Sequence, residues 1–198
     1  MPEFPNTDEI LRAVGASLSN WSLVELQLAT LFSVLSDIPD QDKSQAVFDT
    51  IISFETRLAL CDRLMAFEDA DEVEAEMWSR MSAKLLKKYK KRHELAHFSI
   101  VPFYNGKAAI SPFFTGDKFR TETARYLTID QIKERSRDFI DLHMAVFWFK
   151  NKAFFRRFPK ARADQGRATP EPDLVQRLRE LAIQNLAKQQ QPGPTGAA

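Results

Sequence analysis

The chain has 198 residues, 44% of them hydrophobic and 28% charged, with a formal net charge of +1. That composition excludes a disordered or fibrous chain and gives enough length for a proper core, with one domain as the default. A single cysteine, Cys61, excludes an internal disulfide, and no uncharged apolar run approaches the roughly 18 residues of a membrane span. Met1-Pro2-Glu3-Phe4-Pro5 has neither a basic start nor an apolar run, so no secretory signal is expected. The expected location is therefore cytoplasmic, with no membrane partner.

Asn6 to Asp37 is expected as one long helix. Asn6-Thr7-Asp8-Glu9 offers a capping box, and Ile10, Val14, Leu18, Trp21, Leu28, Phe32 and Leu35 recur at intervals that suit one helical face. Glu25 lies on that stripe. It is either a boundary residue with its head in water or a partner for a cation such as Arg92. Pro39-Asp40 ends the helix. Ser44 to Phe67 then reads as one or two helices, with Ser53 as an internal cap or kink, and apolar Cys61 fits as a small core filler. A further helix starts near Asp71 and runs through Met77, Trp78, Met81 and Leu85 to about His97.

The period then changes to two. Residues 98–104 and 107–113 flank Asn105-Gly106, the strongest short hairpin signal, with Pro102 and Pro112 marking edge strands. A third short strand is expected between Phe119 and Tyr126. Thr128-Ile129-Asp130-Gln131 is a second capping box, with Leu127 as staple, opening a helix to about Phe155 whose end is rich in phenylalanine. After Thr169-Pro170, Asp173 to Gln190 is a last amphipathic helix, and 189–198 is expected as a disordered tail.

Charge is unevenly distributed. Glu68 to Glu76 carries six acids and no base, while Lys84 to Arg92 carries six bases and no acid. A second basic cluster, with Arg156, Arg157, Lys160 and Arg162, lies between Lys150 and Arg167. The first basic run leads into Arg92-His93-Glu94-Leu95-Ala96-His97, a segment that fits two chemistries. From His93 it is His-Glu-x-x-His, in which His93 and His97 share a helix face and could chelate zinc with Glu94 as general base. That frame needs a third ligand, and His143 and Glu122 are the residues left to supply one. From Arg92 it is Arg-x4-His, with the two side chains roughly 140° apart around a helix, a geometry that suits a groove at a helix end or a site on a two-fold axis. There the 2′-hydroxyl of RNA supplies the nucleophile, an imidazole moves its proton, and the arginine fork holds the phosphate, with no metal or other cofactor.

Trp21-x-x-Val24-Glu25, Ser53-Phe54-Glu55-x-Arg57-Leu58 and Arg92-His93-x-x-Ala96-His97, followed by a hairpin and a long helix, resemble the HEPN superfamily over roughly residues 8 to 155. Its motif more often has Asn or Asp where this chain has His93. HEPN toxins paired with small nucleotidyltransferase antitoxins carry a tyrosine two residues after the histidine, where this chain has Ser99. The resemblance implies a mainly α protein, an antiparallel helical bundle with a small β-hairpin insert after the motif helix, that forms a homodimer with a composite site. It further implies a metal-independent endoribonuclease in a defence or toxin–antitoxin role, with an antitoxin or regulatory protein as a further partner.

On this reading Arg92 and His97 are catalytic with His93 as an auxiliary contact, Glu25 supports Arg92, and Lys87, Lys88, Lys90 and Lys91 guide the RNA backbone. Residues 1–160 would form the helical domain, with the hairpin at about 98–114, and 161–188 a C-terminal loop and helix. The alternatives are a non-catalytic HEPN-like dimer that binds RNA or protein, and a zinc hydrolase.

Overall fold

The computed structural model describes residues 6–102, 108–112, 126–161 and 170–189. Within them the chain is mainly helical, in the order α1 (Thr7–Leu35), α2 (Gln41–Asp49), α3 (Phe54–Met65), α4 (Glu72–Ala96), β1 (Phe98–Pro102), β2 (Ala108–Pro112), α5 (Ile129–Arg157) and α6 (Asp173–Gln189). No described helix is long and apolar enough to cross a membrane. The contacts divide into two compact units. One comprises residues 1–26 and 86–143, the other residues 27–85 and 144–198, so α1, α4 and α5 each contribute to both.

Local signals set most boundaries. The Asn6 carbonyl accepts the Ile10 N–H, as a cap's does, but its φ of 67° lies in the left-handed region that asparagine tolerates better than most residues. Asp37, at φ 54°, follows the end of α1. Asp40 caps α2 by accepting from the N–H groups of Asp42 and Lys43. Ser53 does not kink a continuous helix: it separates two, its Oγ accepting the Thr56 N–H at the start of α3. Asp71 accepts the Glu74 N–H at 2.8 Å where α4 begins. Both arms of the second capping box are made, Thr128 N–H donating to Gln131 Oε1 at 2.9 Å and Gln131 N–H to Thr128 Oγ1 at 3.4 Å.

In the first unit, α5 lies beside both other helices. Ser17 Oγ donates to the Ile132 carbonyl, Asn20 Nδ2 to Ser136 Oγ, and His143 Nδ1 lies 3.3 Å from the Leu23 carbonyl, so α1 and α5 run parallel. Lys88 pairs with Asp138, and Arg135 reaches Lys91 and Glu94, so α4 and α5 run antiparallel. Trp21 fills the space between them, 5.2 Å from the Phe139 ring in an edge-on arrangement and 6.0 Å from Tyr89. β1 and β2 pair antiparallel with Phe98 opposite Pro112 and Ile100 opposite Ile110. Ile110 also exchanges two backbone hydrogen bonds with Leu127, which ties the hairpin to the entry of α5. The Asn105-Gly106 turn, most of the expected third strand and the 190–198 tail lie outside the described residues.

In the second unit, Phe32 packs on Phe48 and Trp78 on Phe149, each pair about 5 Å apart. Cys61 is fully buried with its Sγ toward the Leu28 carbonyl, and burial, helped by Asp62, pushes its thiol pKa far up, so it is an inert core residue. The aromatic end of α5 is largely buried here, with Trp148 and Phe149 inside and Phe158 exposed. The acidic run meets the second basic cluster: Arg157 contacts Glu68 at 2.6 Å and pairs with Asp37, while Arg156 contacts Glu74 at 2.9 Å.

Thr128→Ala removes one arm of the α5 cap and is expected to cost about 1 kcal/mol in urea unfolding. A second expectation concerns Asp62. Burial raises its carboxyl pKa above 3.8, against the opposing effect of hydrogen bonds from Ser82 and Trp78. A carboxyl raised in the folded state contributes stability below its ordinary pKa and loses it as pH rises through the folded value. The stability of the wild type relative to Asp62→Asn should therefore fall as pH goes from about 4 toward neutrality, as read by denaturant midpoints across that range.

Candidate functional site

The Arg92–His97 segment forms the C-terminal end of α4 and the first step beyond it, within the first unit. The His97 N–H donates to the His93 carbonyl at 3.1 Å, continuing the helical bonding one residue past Ala96. That bond holds the i, i+4 relation, and the His93 and His97 rings come to 4.4 Å between centroids, tilted by 52°. Both histidines are exposed, whereas Leu95 between them is fully buried and anchors the turn. Arg92 is half-buried on the adjoining side of the helix, roughly 100° from His93. Its Nε is enclosed without a hydrogen-bond partner among the described residues. An enclosed donor left unpaired is costly; the same holds for Nε and Nη2 of Arg156 in the second unit, so what sets Arg92 apart is its place beside the two exposed imidazoles.

Two residues that sequence reasoning missed hold this end of α4. Arg135 of α5, only 13% exposed, donates through Nη1 to the Lys91 carbonyl at 3.3 Å and pairs through Nη2 with Glu94 Oε2 at 2.8 Å. Glu94 Oε1 also accepts from Lys91 Nζ at 3.1 Å. One turn earlier on α4, Asp138 pairs with Lys88. Arg135 thereby fastens the end of α4 to α5 and fixes the frame from which His93 and His97 project. The signal in the sequence was the three-residue spacing of Lys88, Lys91 and Glu94 on one helix against Arg135 and Asp138 on the next.

The four lysines of the basic run divide. Lys88 and Lys91 are half-buried and held in ion pairs, while Lys87 and Lys90 are exposed. Among the described residues only the second pair is outside an ion pair, Lys88 being held by Asp138 of α5 and Lys91 by Glu94 of α4, and so available to a polyanion without breaking a contact inside the unit. Glu25 accepts from Trp21 Nε1 at 2.5 Å and, among the described residues, pairs with no arginine. Because α1 and α4 are antiparallel, moving from Trp21 to Glu25 leads away from Arg92, so Glu25 fixes the Trp21 indole and not the guanidinium. The second basic cluster is largely engaged in the other unit. Arg156 and Arg157 face acids, and the ammonium groups of Lys150 and Lys152 lie over the Phe147 and Trp148 rings. Arg162 and Arg167 lie outside the described residues.

For the zinc frame, Glu94 would have to be free to take a proton from a metal-bound water, yet both of its oxygens are engaged by Lys91 and Arg135. His143 turns its Nδ1 to the Leu23 carbonyl, and among the described residues no third histidine, cysteine or carboxylate joins His93 and His97 in a group able to hold a metal. Glu122 lies outside the described residues.

Comparison of the chain with protein-family models, with curated proteins and with solved structures returns no significant match. What the structure itself establishes of the class is a mainly helical fold with a two-stranded hairpin among the described residues.

Arg135→Ala leaves Lys91 as the remaining partner of Glu94 and strips the clamp from the last turn of α4. It is expected to cost about 1–2 kcal/mol and to weaken the nuclear Overhauser contacts between the His93 and His97 rings. Unchanged stability and unchanged ring contacts would show that α4 holds its end without α5.

Proposed function

We propose that this protein is a metal-independent endoribonuclease of HEPN type, acting at the Arg92–His97 end of α4. The observation that carries the reading is the pair of exposed imidazoles, 4.4 Å apart, next to a half-buried arginine whose Nε has no partner among the described residues. Imidazole nitrogens serve as general acids and bases. His97 would take the proton of the RNA 2′-hydroxyl or return one to the 5′-leaving oxygen. With two imidazoles in contact, His93 can serve as the second proton carrier or as a phosphate contact. Arg92 would supply its unused donor to the phosphate as charge builds up on it in the transition state. Lys87 and Lys90 would draw the RNA backbone toward this end of the helix. Lys88 and Lys91 would act from within their ion pairs, chiefly by keeping the helix end in place.

A homodimer with the two motifs facing each other would form one composite site with two arginines and four imidazoles, and a cytoplasmic toxin or defence role, with an antitoxin or regulatory partner, fits such an activity. The second reading is a non-catalytic RNA- or protein-binding dimer, which the exposure of Lys87 and Lys90 would serve equally well.

The test is incubation of the purified protein with mixed single-stranded and structured RNA in excess EDTA, beside Arg92→Ala and His97→Ala. Each substitution removes a group acting in the chemical step, and a loss of about 10²-fold or more is expected from the general acid–base contribution alone, with the folded state unchanged by circular dichroism. Products should end in 2′,3′-cyclic phosphate, and DNA should be spared. Retained RNA binding with no turnover would select the binding module. Cleavage of DNA at an equal rate would refute the 2′-hydroxyl mechanism.

A further inference from the structure

The second unit contains a carboxylate treated unlike its neighbours. Glu68 and Glu74 are buried and each meets an arginine of α5, and half-buried Glu76 meets Arg80 at 2.8 Å. Asp62 of α3 is half-buried as well, yet its two oxygens accept only from neutral donors. Oδ1 takes the Trp78 Nε1–H at 2.9 Å and Oδ2 the Ser82 hydroxyl at 2.8 Å. Among the described residues it has no ion pair. Burial raises its carboxyl pKa even against those two hydrogen bonds, so the neutral donors do not offset the lost hydration. Each oxygen keeps an unused lone pair.

This carboxylate lies in a cavity of about 310 Å³. The space exists because the facing positions of α3, the turn after it and α4 carry side chains too short to fill it, Ala66, Ala70, Ala75 and Ser79 among them. Met65 and Trp78 supply an apolar wall, and the Trp78 ring is braced edge-on by Phe149. The volume is at the lower end of the range that holds small organic ligands. One carboxylate is too few ligands for a metal ion, and no metal-holding group of side chains occurs among the described residues.

We infer that the groove between α3 and α4 binds a small organic ammonium ion, with the Asp62 carboxylate receiving the charged nitrogen and Met65 and Trp78 covering the hydrocarbon part. The ammonium group supplies the charge that Glu68, Glu74 and Glu76 find in arginines, and its N–H donors use the lone pairs that Trp78 and Ser82 leave open. The inference stands independently of the ribonuclease reading, because the groove and the Arg92–His97 segment lie in different units and the test does not depend on activity.

The probe is benzylamine, with benzyl alcohol as its uncharged counterpart, titrated into the full-length protein near neutral pH. The readout is the Trp78 indole N–H in proton–nitrogen correlation spectra, assigned by its loss in Trp78→Phe and compared with the indoles of Trp21 and Trp148. Benzylamine should shift the Trp78 signal saturably and leave the other two in place. Benzyl alcohol should bind about tenfold more weakly or worse, as should benzylamine to Asp62→Asn, which keeps the shape and the Trp78 acceptor but not the charge. No saturable shift with millimolar benzylamine would overturn the inference. So would an equal response to the alcohol, which needs no variant to be folded, or undiminished binding by Asp62→Asn.

Discussion

The charged groups that α4 and α5 turn toward each other have to be paired, because an unpaired ion taken out of water costs several kcal/mol that nothing else in a small unit can supply. In the first unit that condition is met by Lys88 with Asp138 and by Arg135 with Glu94 and the Lys91 carbonyl. In the second it is met by Arg156 with Glu74, while Arg157 pairs with Glu68 in the turn before α4. The pairs that join α4 to α5 fix the register of the two helices, since sliding one past the other by a turn would separate Lys88 from Asp138, Arg135 from Glu94 and Arg156 from Glu74. The apolar contacts, Trp21 on Phe139 and Trp78 on Phe149, tolerate small displacements better than the ion pairs do.

The candidate site follows from that register. Leu95 points inward and Glu94 is held by Arg135, which leaves His93 and His97 to project outward from the same turn. Apart from their contact with each other, the two imidazoles are therefore placed by their neighbours' contacts. Such an arrangement leaves the rings free to meet a ligand from solvent while the backbone beneath them stays fixed. Arg92 is the exception. Its enclosed Nε still has bonding to complete among the described residues.

Much of the secondary structure was legible because its signals are local. Ser53 as a cap, the Thr128–Gln131 box and the change to period two after His97 all concern residues within four positions of each other, and each matches a helix or strand boundary. The basic run could not be read the same way. Lys87, Lys88, Lys90 and Lys91 look alike in sequence, yet two are exposed and two are held by acids, and the acids that decide it lie up to fifty positions away. Glu25 was ambiguous for the same reason: its partner depends on which way α4 runs beside α1, and the antiparallel direction gives it to Trp21.

By itself, the sequence determined that this chain is mainly helical with a small hairpin, where most elements begin and end, and that His93 and His97 share a helix face. Those properties rest on capping hydrogen bonds, turn conformations and helical periodicity, which act over a few residues. Only the tertiary structure decided which lysines are neutralised, that Arg135 clamps the end of α4, that the acidic run meets Arg156 and Arg157, and that Asp62 meets no cation among the described residues. These depend on pairings between helices far apart in the chain, and electrostatic partners across such distances are chosen by packing geometry, to which local propensity is blind.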